Sequence, residues 1–165
     1  MGTLFIGNFG RSGIANCGQS IKTKLYFDVI NKERRDIFAF DTSRLKRNFG
    51  SAAVLFMRLY FTREAIIMPA QSMLPILCVI LPLFRIKVTY IVIGGWLPEY
   101  MVKRNWLIRP ISKFKIIVVE TEGMRSILKT VGIESHVIPN MKPFKINQLY
   151  SSPSPSSSLT FTSLR

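Results

Sequence analysis

Glycines are concentrated in the first loop of the sequence, after an apolar segment that ends at Gly7. They follow at Gly10, Gly13 and Gly18, with Ser12 among them. Glycine lets the backbone approach a ligand closely, and a helix that begins after such a loop offers free N–H groups to phosphate or sugar oxygens. We therefore predict that Gly10, Ser12 and Gly13 bind a phosphate or a sugar. A turn that needs only a positive φ is the alternative.

The spacing of these glycines distinguishes the loop from two nucleotide-binding motifs. It is Gly-x-x-Gly-x-x-Gly rather than the dinucleotide pattern Gly-x-Gly-x-x-Gly, and no Gly-Lys-Ser/Thr sequence follows. A P-loop is thus excluded, and an NAD(P)- or flavin-binding enzyme is kept only as an alternative. Asp41 stands at the end of the second strand, where such an enzyme places the acid that binds ribose, but it is too far from the glycines. We expect it to cap a helix or to be solvated in its loop.

Two predicted helix starts add candidate binding residues. Gln19 immediately precedes the helix that Ser20 would cap and that begins at Ile21, and Lys22 lies in its first turn. There the Lys22 ammonium would add positive charge to a phosphate site unless it is only a solvated surface charge. Glu122 stands beside the N-terminus of a later helix, a place that the helix dipole favours for any acid. We predict that Glu122 binds a ligand hydroxyl.

A third candidate segment is Gly94-Gly95-Trp96, at the end of the fourth predicted strand. Its two glycines leave room for a ligand, and the Trp96 ring is of a type that stacks on a sugar face. The alternative is that Trp96 covers the edge of the core. No catalytic residue is assigned.

Two cysteines and one histidine exclude a disulfide framework, a Cys/His metal cluster and a Ser-His-Asp triad. We expect no metal and no cofactor. Cys17 is interpreted as a small filler residue, Cys78 as inert core and His136 as a core or edge residue.

Short apolar runs alternate with helical segments along the chain. Strands are predicted at 3–7, 36–41, 64–70, 88–93, 115–120 and 135–138. Ile21, Leu25 and Val29 form the apolar stripe of the first helix, and Phe49, Ala52, Ala53, Phe56 and Tyr60 that of the second. Near-continuous apolar strands that alternate with helices predict an α/β fold, a single Rossmann-like domain with a parallel sheet and helices on both faces. The domain is placed at 1–145, and the Ser/Pro-rich segment 146–165 is predicted to be a disordered tail.

The composition favours a folded domain with an anionic partner. Hydrophobic residues make up 48% of the chain, and 23 Lys and Arg against 9 Asp and Glu give a net charge of +14. Nucleic acid, anionic lipid and phosphorylated substrates all suit this charge. Because the basic residues are dispersed and match no nucleic-acid-binding motif, specific nucleic-acid binding is not expected, and a basic nucleic-acid-binding module is the weakest alternative.

The apolar run from Met73 to Phe84 is shorter than the roughly 20 residues that a spanning helix needs. We interpret it as a buried helix, with an interfacial membrane segment as the alternative. Met1 to Gly10 has no cationic leader before an apolar core, so we expect a cytoplasmic protein, with peripheral contact at the inner face of the plasma membrane left open.

Four segments resemble bacterial glycosyltransferases of the GT-B architecture, specifically the retaining family-four group of capsular and exopolysaccharide synthesis. They are LFIGNFGRSGIANCGQSIKTK (4–24), GGWLPEY (94–100), VVETEGMRSILKTVGI (118–133) and HVIPNMKP (136–143), in the expected order. The resemblance covers about residues 3–143. It implies two Rossmann-like domains facing each other across a cleft, of which this chain is the N-terminal one.

The resemblance also implies partners and roles. The N-terminal domain of the family binds the acceptor, often a lipid-linked saccharide at the inner membrane face, and the C-terminal domain binds the nucleotide-sugar donor through a Glu-x7-Glu motif. The segment 10–18 would flank the donor phosphates, while Gly94 to Trp96 and Glu122 would line the acceptor side. We expect the donor domain and its motif to be missing from this chain, and Gly94-Gly95-Trp96 stands where many members carry a histidine. We therefore expect a truncated product or a separately encoded half without efficient transfer of its own.

Overall fold

The computed structural model describes residues 2–10, 18–34, 36–44, 49–68 and 71–139. They form one parallel sheet of six strands in the order β2-β1-β3-β4-β5-β6. The strands are β1 (Thr3–Gly7), β2 (Ile37–Asp41), β3 (Glu64–Met68), β4 (Lys87–Ile91), β5 (Ile116–Val119) and β6 (His136–Val137). All six were predicted, with ends that differ by one or two residues at most positions.

The helices of the described residues connect successive strands. They are α1 (Gly18–Glu33), α2 (Phe49–Tyr60), α3 (Leu74–Leu83), α4 (Trp96–Lys103), α5 (Ile108–Ile111) and α6 (Glu122–Thr130). Short 3-10 turns follow β2 at Thr42–Arg44 and precede α5 at Asn105–Leu107. Thr121 caps the N-terminus of α6, since its hydroxyl accepts a hydrogen bond from the Met124 N–H at 3.3 Å.

Each face of the sheet has its own core. Leu4, Ile67 and Val119 point into the larger core, which α2, α3, α4 and α6 cover. Phe5 and Val118, their neighbours in sequence, point into a smaller core that includes Tyr26 of α1. β2 lies on one side of β1, and β3 to β6 are added in order on the other side. Because the crossovers between parallel strands are right-handed, α1 lies on one face of the sheet and the later helices lie on the other. The predicted α/β fold, Rossmann-like with helices on both faces, is confirmed.

The predicted apolar stripe of α1 is wrong. Ile21 and Val29 are exposed, and the helix buries Ser20, Thr23 and Tyr26 instead. The reason is the close approach of α1 to the end of β1. A Cβ placed on Gly7 would stand 2.5 Å from Cγ2 of Thr23, so the contact needs glycine on the strand and small side chains on the helix.

The predicted stripe of α2 is also wrong in part. Leu55 and Leu59 are buried, whereas Phe56 and Tyr60 are exposed. In α3 only one side is buried, so its interpretation as a buried helix holds for half of its surface. No helix among the described residues combines the length and the apolar character needed to cross a membrane. The predicted domain end at 145 and the predicted tail lie outside the described residues.

Candidate functional site

The loops that follow β1, β2, β4 and β5 meet at one edge of the sheet, which we call the carboxyl rim. In open parallel α/β sheets, ligands bind in the crevice at this edge. Among the predicted site residues, Gly10, Lys22, Gly94 and Glu122 belong to segments at the rim. Ser12 and Gly13 lie outside the described residues.

A salt bridge joins α1 to the end of β5 at this rim. Nζ of Lys22 lies 2.5 Å from Oε1 of Glu120, and Oε2 of Glu120 accepts a hydrogen bond from the Gly94 N–H at 3.0 Å. The Lys22 and Glu120 side chains are only 21% and 11% exposed. A single carboxylate therefore connects α1, the loop after β4 and the loop after β5 in a largely buried place. We call Lys22, Gly94 and Glu120 the rim cluster.

The Glu120 carboxylate also affects the ionisation of Tyr26 in the smaller core. Burial raises the pKa of the Tyr26 phenol above its ordinary value, and the negative charge of Glu120 raises it further. Tyr26 is therefore neutral near pH 7. Next to this neutral phenol, the Lys22 ammonium is the cation that balances Glu120.

Asp41 performs the capping role that its position predicted. Its Oδ1 accepts hydrogen bonds from the N–H groups of Ser43, at 3.0 Å, and Phe9, at 3.2 Å, while Oδ2 accepts from the Ser43 hydroxyl at 2.8 Å. The Asp41 carboxylate thus holds the loop after β1 against the turn after β2. Both carboxylate oxygens are engaged in these contacts, which give Asp41 a structural role.

Two glycines at the rim adopt the left-handed conformation, with a φ of 75° at both Gly10 and Gly94. The Gly10 N–H donates to Oδ1 of Asn8 at 3.1 Å, and a Cβ on Gly10 would approach Cβ of Ser20 to 2.9 Å. Glycine is thus required at Gly10 by backbone conformation and by the packing of α1. The alternative interpretation of this loop, a turn that needs glycine for its positive φ, is confirmed at Gly10.

Gly95 caps the N-terminus of α4, and a Cβ there would meet no atom within 4 Å. The next residue, Trp96, is half-buried against the larger core, and its ring makes an edge contact with Tyr100 at 5.5 Å between centroids. Trp96 therefore covers the core edge, as the alternative interpretation held. Stacking of its ring on a sugar stays a prediction.

Glu122 does not reach the rim cluster. Its side chain is 70% exposed and pairs with Arg125 within α6 at 3.4 Å. Glu120 is the carboxylate that faces α1, and it was not singled out from the sequence. Strand alternation carries the signal that identifies it, because Glu120 has the same parity as Val118, whose side chain packs in the smaller core beside α1.

The remaining candidates divide between structure and surface. The Gln19 carbonyl accepts a hydrogen bond from the Thr23 hydroxyl at 2.9 Å, within the first turns of α1. His136 is exposed on β6, an edge strand. Cys78 is buried, and burial raises the pKa of its thiol to about 12, which fits the inert role predicted for it. Cys17 lies outside the described residues.

The rim cluster can bind a ligand that combines negative charge with hydroxyl groups. A lysine ammonium suits phosphate oxygens, and a carboxylate accepts hydrogen bonds from hydroxyls. In the part of the chain that the structure describes, no three His, Cys, Asp or Glu side chains come close enough to hold a metal ion.

Comparison with known proteins does not assign the chain to a family. No model of a protein family matches the chain, and no curated protein matches it either. The glycosyltransferase resemblance therefore depends on the four sequence segments alone.

Proposed function

We propose that this chain is the acceptor-side domain of a glycosyltransferase of polysaccharide synthesis. In this proposal the carboxyl rim binds a lipid-linked saccharide, and sugar is transferred to it from a nucleotide sugar held by a second domain. No Glu-x7-Glu sequence occurs in the chain, so the proposal assigns donor binding to that second domain. The protein would work in the cytoplasm, at the inner face of the membrane.

One observation carries the proposal. Lys22 belongs to the first segment of the resemblance, Gly94 to the second and Glu120 to the third, and Glu120 contacts both of the others. Lys22 and Glu120 are 98 residues apart in sequence, and Gly94 and Glu120 are 26 apart. Segments that resemble one family separately thus meet at the edge where an α/β domain binds its ligand.

The chemistry of the cluster supports a saccharide phosphate as the ligand. Lys22 would approach the phosphate that links sugar to lipid, helped by the N-terminus of α1. Glu120 would accept hydrogen bonds from sugar hydroxyls while the Gly94 N–H holds its second oxygen. The dinucleotide alternative is weakened because Asp41 is engaged in capping.

The proposal is tested by calorimetric titration of the full chain with a short-chain prenyl-diphosphate sugar. We expect Lys22→Met and Glu120→Gln each to weaken binding about tenfold or more, because each removes a charge-assisted contact. Lys115→Met and Glu64→Gln are matched controls, since they change the same charges in an exposed ion pair at the opposite edge of the sheet. Thermal unfolding of each variant separates loss of binding from loss of fold.

Three results would count against the proposal. One is equal weakening by the control variants, which would mean that binding follows net charge. Another is tighter binding of NADPH than of the prenyl-diphosphate sugar, which would favour the dinucleotide alternative. The third is a failure to restore transfer from a UDP-sugar by adding C-terminal halves that carry Glu-x7-Glu.

A further inference from the structure

The two edge strands of the sheet differ in how well their outer edges are protected. β6, at one edge, has only two residues, His136 and Val137. β2, at the other edge, has five residues and pairs with β1 in unbroken register, and Ile37 to Phe40 are all apolar. Proteins protect an edge strand by keeping it short or by placing lysine, proline or a bulge on it, because its unpaired backbone groups otherwise bind another chain. The length of β6 protects it, whereas β2 has none of these features.

The register of β1 and β2 determines which backbone groups of β2 face outward. The Thr3 N–H donates to the Asp36 carbonyl at 2.9 Å, so this carbonyl faces β1. Because these groups alternate along a strand, the backbone of Phe38 also faces β1, and the N–H and C=O groups of Ile37 and Ala39 point away from it. Among the described residues, no strand pairs with this outer edge. The edge can therefore accept one more strand.

A groove, which we call the edge groove, runs between β2 and α2. Two cavities of about 450 and 690 Å³ lie along it, and Arg58 of α2 lines both. The first is lined mainly by the apolar side chains of Phe38, Met57 and Phe61, which are 51%, 63% and 64% exposed. The second lies beside residues 39–41 of β2 and is more polar. Alternate side chains of a strand added to β2 would face α2 at intervals of about 6.6 Å.

The positive charge of the edge groove belongs to Arg58. Its guanidinium carbon lies 4.4 Å from the centroid of the Phe38 ring, a cation–π contact that holds the side chain over β2. In the part of the chain that the structure describes, no carboxylate forms an ion pair with Arg58. Asp41, beside the second cavity, accepts hydrogen bonds from Phe9 and Ser43 instead. The edge groove therefore complements an extended segment that carries a carboxylate among apolar side chains.

We propose that the edge groove binds an extended, acidic segment of another protein as a seventh strand of the sheet. The backbone of this segment pairs with Ile37 and Ala39, its apolar side chains enter the first cavity, and its carboxylate pairs with Arg58. The inference goes beyond the proposed function, because it requires neither a saccharide nor a second catalytic domain.

Two other occupants fit the edge groove less well. The C-terminal segment of the same chain offers no acidic side chain to Arg58, since residues 135–165 contain no Asp or Glu. In a second copy, antiparallel pairing of β2 with itself would place two Arg58 side chains on the same face of the joined sheet. The two molecules would each carry a net charge of +14, so charge repulsion opposes this pairing.

The test is fluorescence anisotropy of the full chain with a labelled, end-capped peptide of sequence TVTLTETVT, at about 0.15 M salt. Its valines, leucine and glutamate alternate with threonines, so one side of the extended peptide is apolar and acidic. We expect saturable binding, and binding weaker by about tenfold or more when lysine replaces the glutamate. Arg58→Glu should reverse this preference. Arg125→Gln, which removes an exposed arginine on α6, is the matched control for Arg58→Gln and should bind like the wild type.

The apolar wall of the first cavity is tested by Met57→Ser. This variant should weaken binding by about fivefold, because it removes apolar surface that the peptide covers. Val102→Ser is the matched control, since Val102 is an apolar residue on α4 with 76% exposure. It should leave peptide binding unchanged. Both positions are exposed, so circular dichroism should show the wild-type fold in both variants.

Backbone pairing is tested by two N-methylated peptides. N-methylation of the threonines blocks the N–H groups on one edge of the extended peptide, and N-methylation of the other residues blocks those on the opposite edge. One peptide should lose binding and the other should bind like the parent, because only one edge faces β2. Ala39→Pro, which removes an outward N–H, should also weaken binding while the fold is kept, since edge strands tolerate proline.

The proposal is overturned if the wild type shows no saturable binding, or if the glutamate and lysine peptides bind equally. Equal binding of the two N-methylated peptides would show that the peptide does not pair with β2, and would also overturn it. If analytical ultracentrifugation shows a dimer that Ala39→Pro dissociates, the occupant is a second copy and the proposal is wrong. Arg58→Gln should bind the prenyl-diphosphate sugar like the wild type, so a failure of the edge groove is distinct from a failure of the rim cluster.

Discussion

The two ends of the sheet carry similar ions in different surroundings. At the carboxyl rim, Glu120 pairs with Lys22, and both side chains are largely buried. At the opposite end, which we call the amino rim, Glu64 at the start of β3 pairs with Arg34 at 3.1 Å and with Lys115 at 3.4 Å. Glu64 is 37% exposed, and its two partners are each more than half exposed.

This difference distinguishes the proposed binding site from ordinary surface. An exposed ion pair requires little desolvation and contributes at most about 1 kcal/mol. A largely buried pair loses hydration that the mutual attraction only partly returns, so stability alone is a weak reason for its presence. The second hydrogen bond of Glu120, from Gly94, fixes the carboxylate in one orientation. Such fixed, partly desolvated charge is what a binding site requires.

The largest expected effect tests how tightly the carboxyl rim is packed. In Gly7→Ala the new methyl group would stand 2.5 Å from Cγ2 of Thr23, so the Thr23 side chain or α1 itself must shift. We expect a loss of about 2–3 kcal/mol in the free energy of unfolding, as for other overpacked sites. The measurement is urea denaturation followed by circular dichroism.

Gly123→Ala is the matched control for that substitution. Gly123 also lies at the carboxyl rim, in the first turn of α6, where the nearest atom to an added Cβ is 4.0 Å away. It should leave stability unchanged or raise it slightly, because alanine favours the helix. Equal losses in the two variants would contradict tight packing at the end of β1.

The order of the elements was predictable because each strand is a short apolar run between turn-forming residues. The buried faces of α1 and α2 were not predicted correctly, because the prediction was based only on the spacing of apolar residues. Ser20 and Thr23 are buried since Gly7 and Gly10 bring the backbone of the rim close to α1. That contact joins distant parts of the chain and leaves no apolar periodicity in α1.

The site was predictable to the level of its segments. The glycine loop, the loop after β4 and the segment after β5 were all singled out as candidate binding segments, and Lys22 was among the candidates. The choice of Glu122 over Glu120 followed the helix dipole, which acts on any acid near a helix N-terminus. Alternation along β5 points Glu120 to the same side of the sheet as Val118, which is the side that α1 covers. Identifying Glu120 therefore requires knowing which side α1 covers.

A smaller effect compares the two ion pairs directly by double-mutant cycles. For Lys22→Met and Glu120→Gln we expect a coupling free energy of about 1–2 kcal/mol, because the pair is screened little by solvent. For Lys115→Met and Glu64→Gln we expect less than about 0.5 kcal/mol. Chemical denaturation of the wild type, the single variants and the double variants gives both values. Equal couplings would remove the distinction between the two rims.

The smallest effect concerns the pH dependence at the amino rim. Hydrogen bonds from Arg34, and next from Lys115, lower the pKa of the Glu64 carboxyl. A carboxyl whose pKa is lowered by folding stabilises the protein above its unfolded pKa, and this contribution disappears as the pH falls through the folded value. Carbon-detected NMR titration of Glu64 should therefore show a higher pKa in Arg34→Met than in Lys115→Met, with the wild type lowest. Because Glu64 is exposed, the change in stability should be small and should decrease further in high salt. An unchanged pKa in Arg34→Met would show that this contact is not maintained in solution, and the amino rim would then be a set of independent solvated charges.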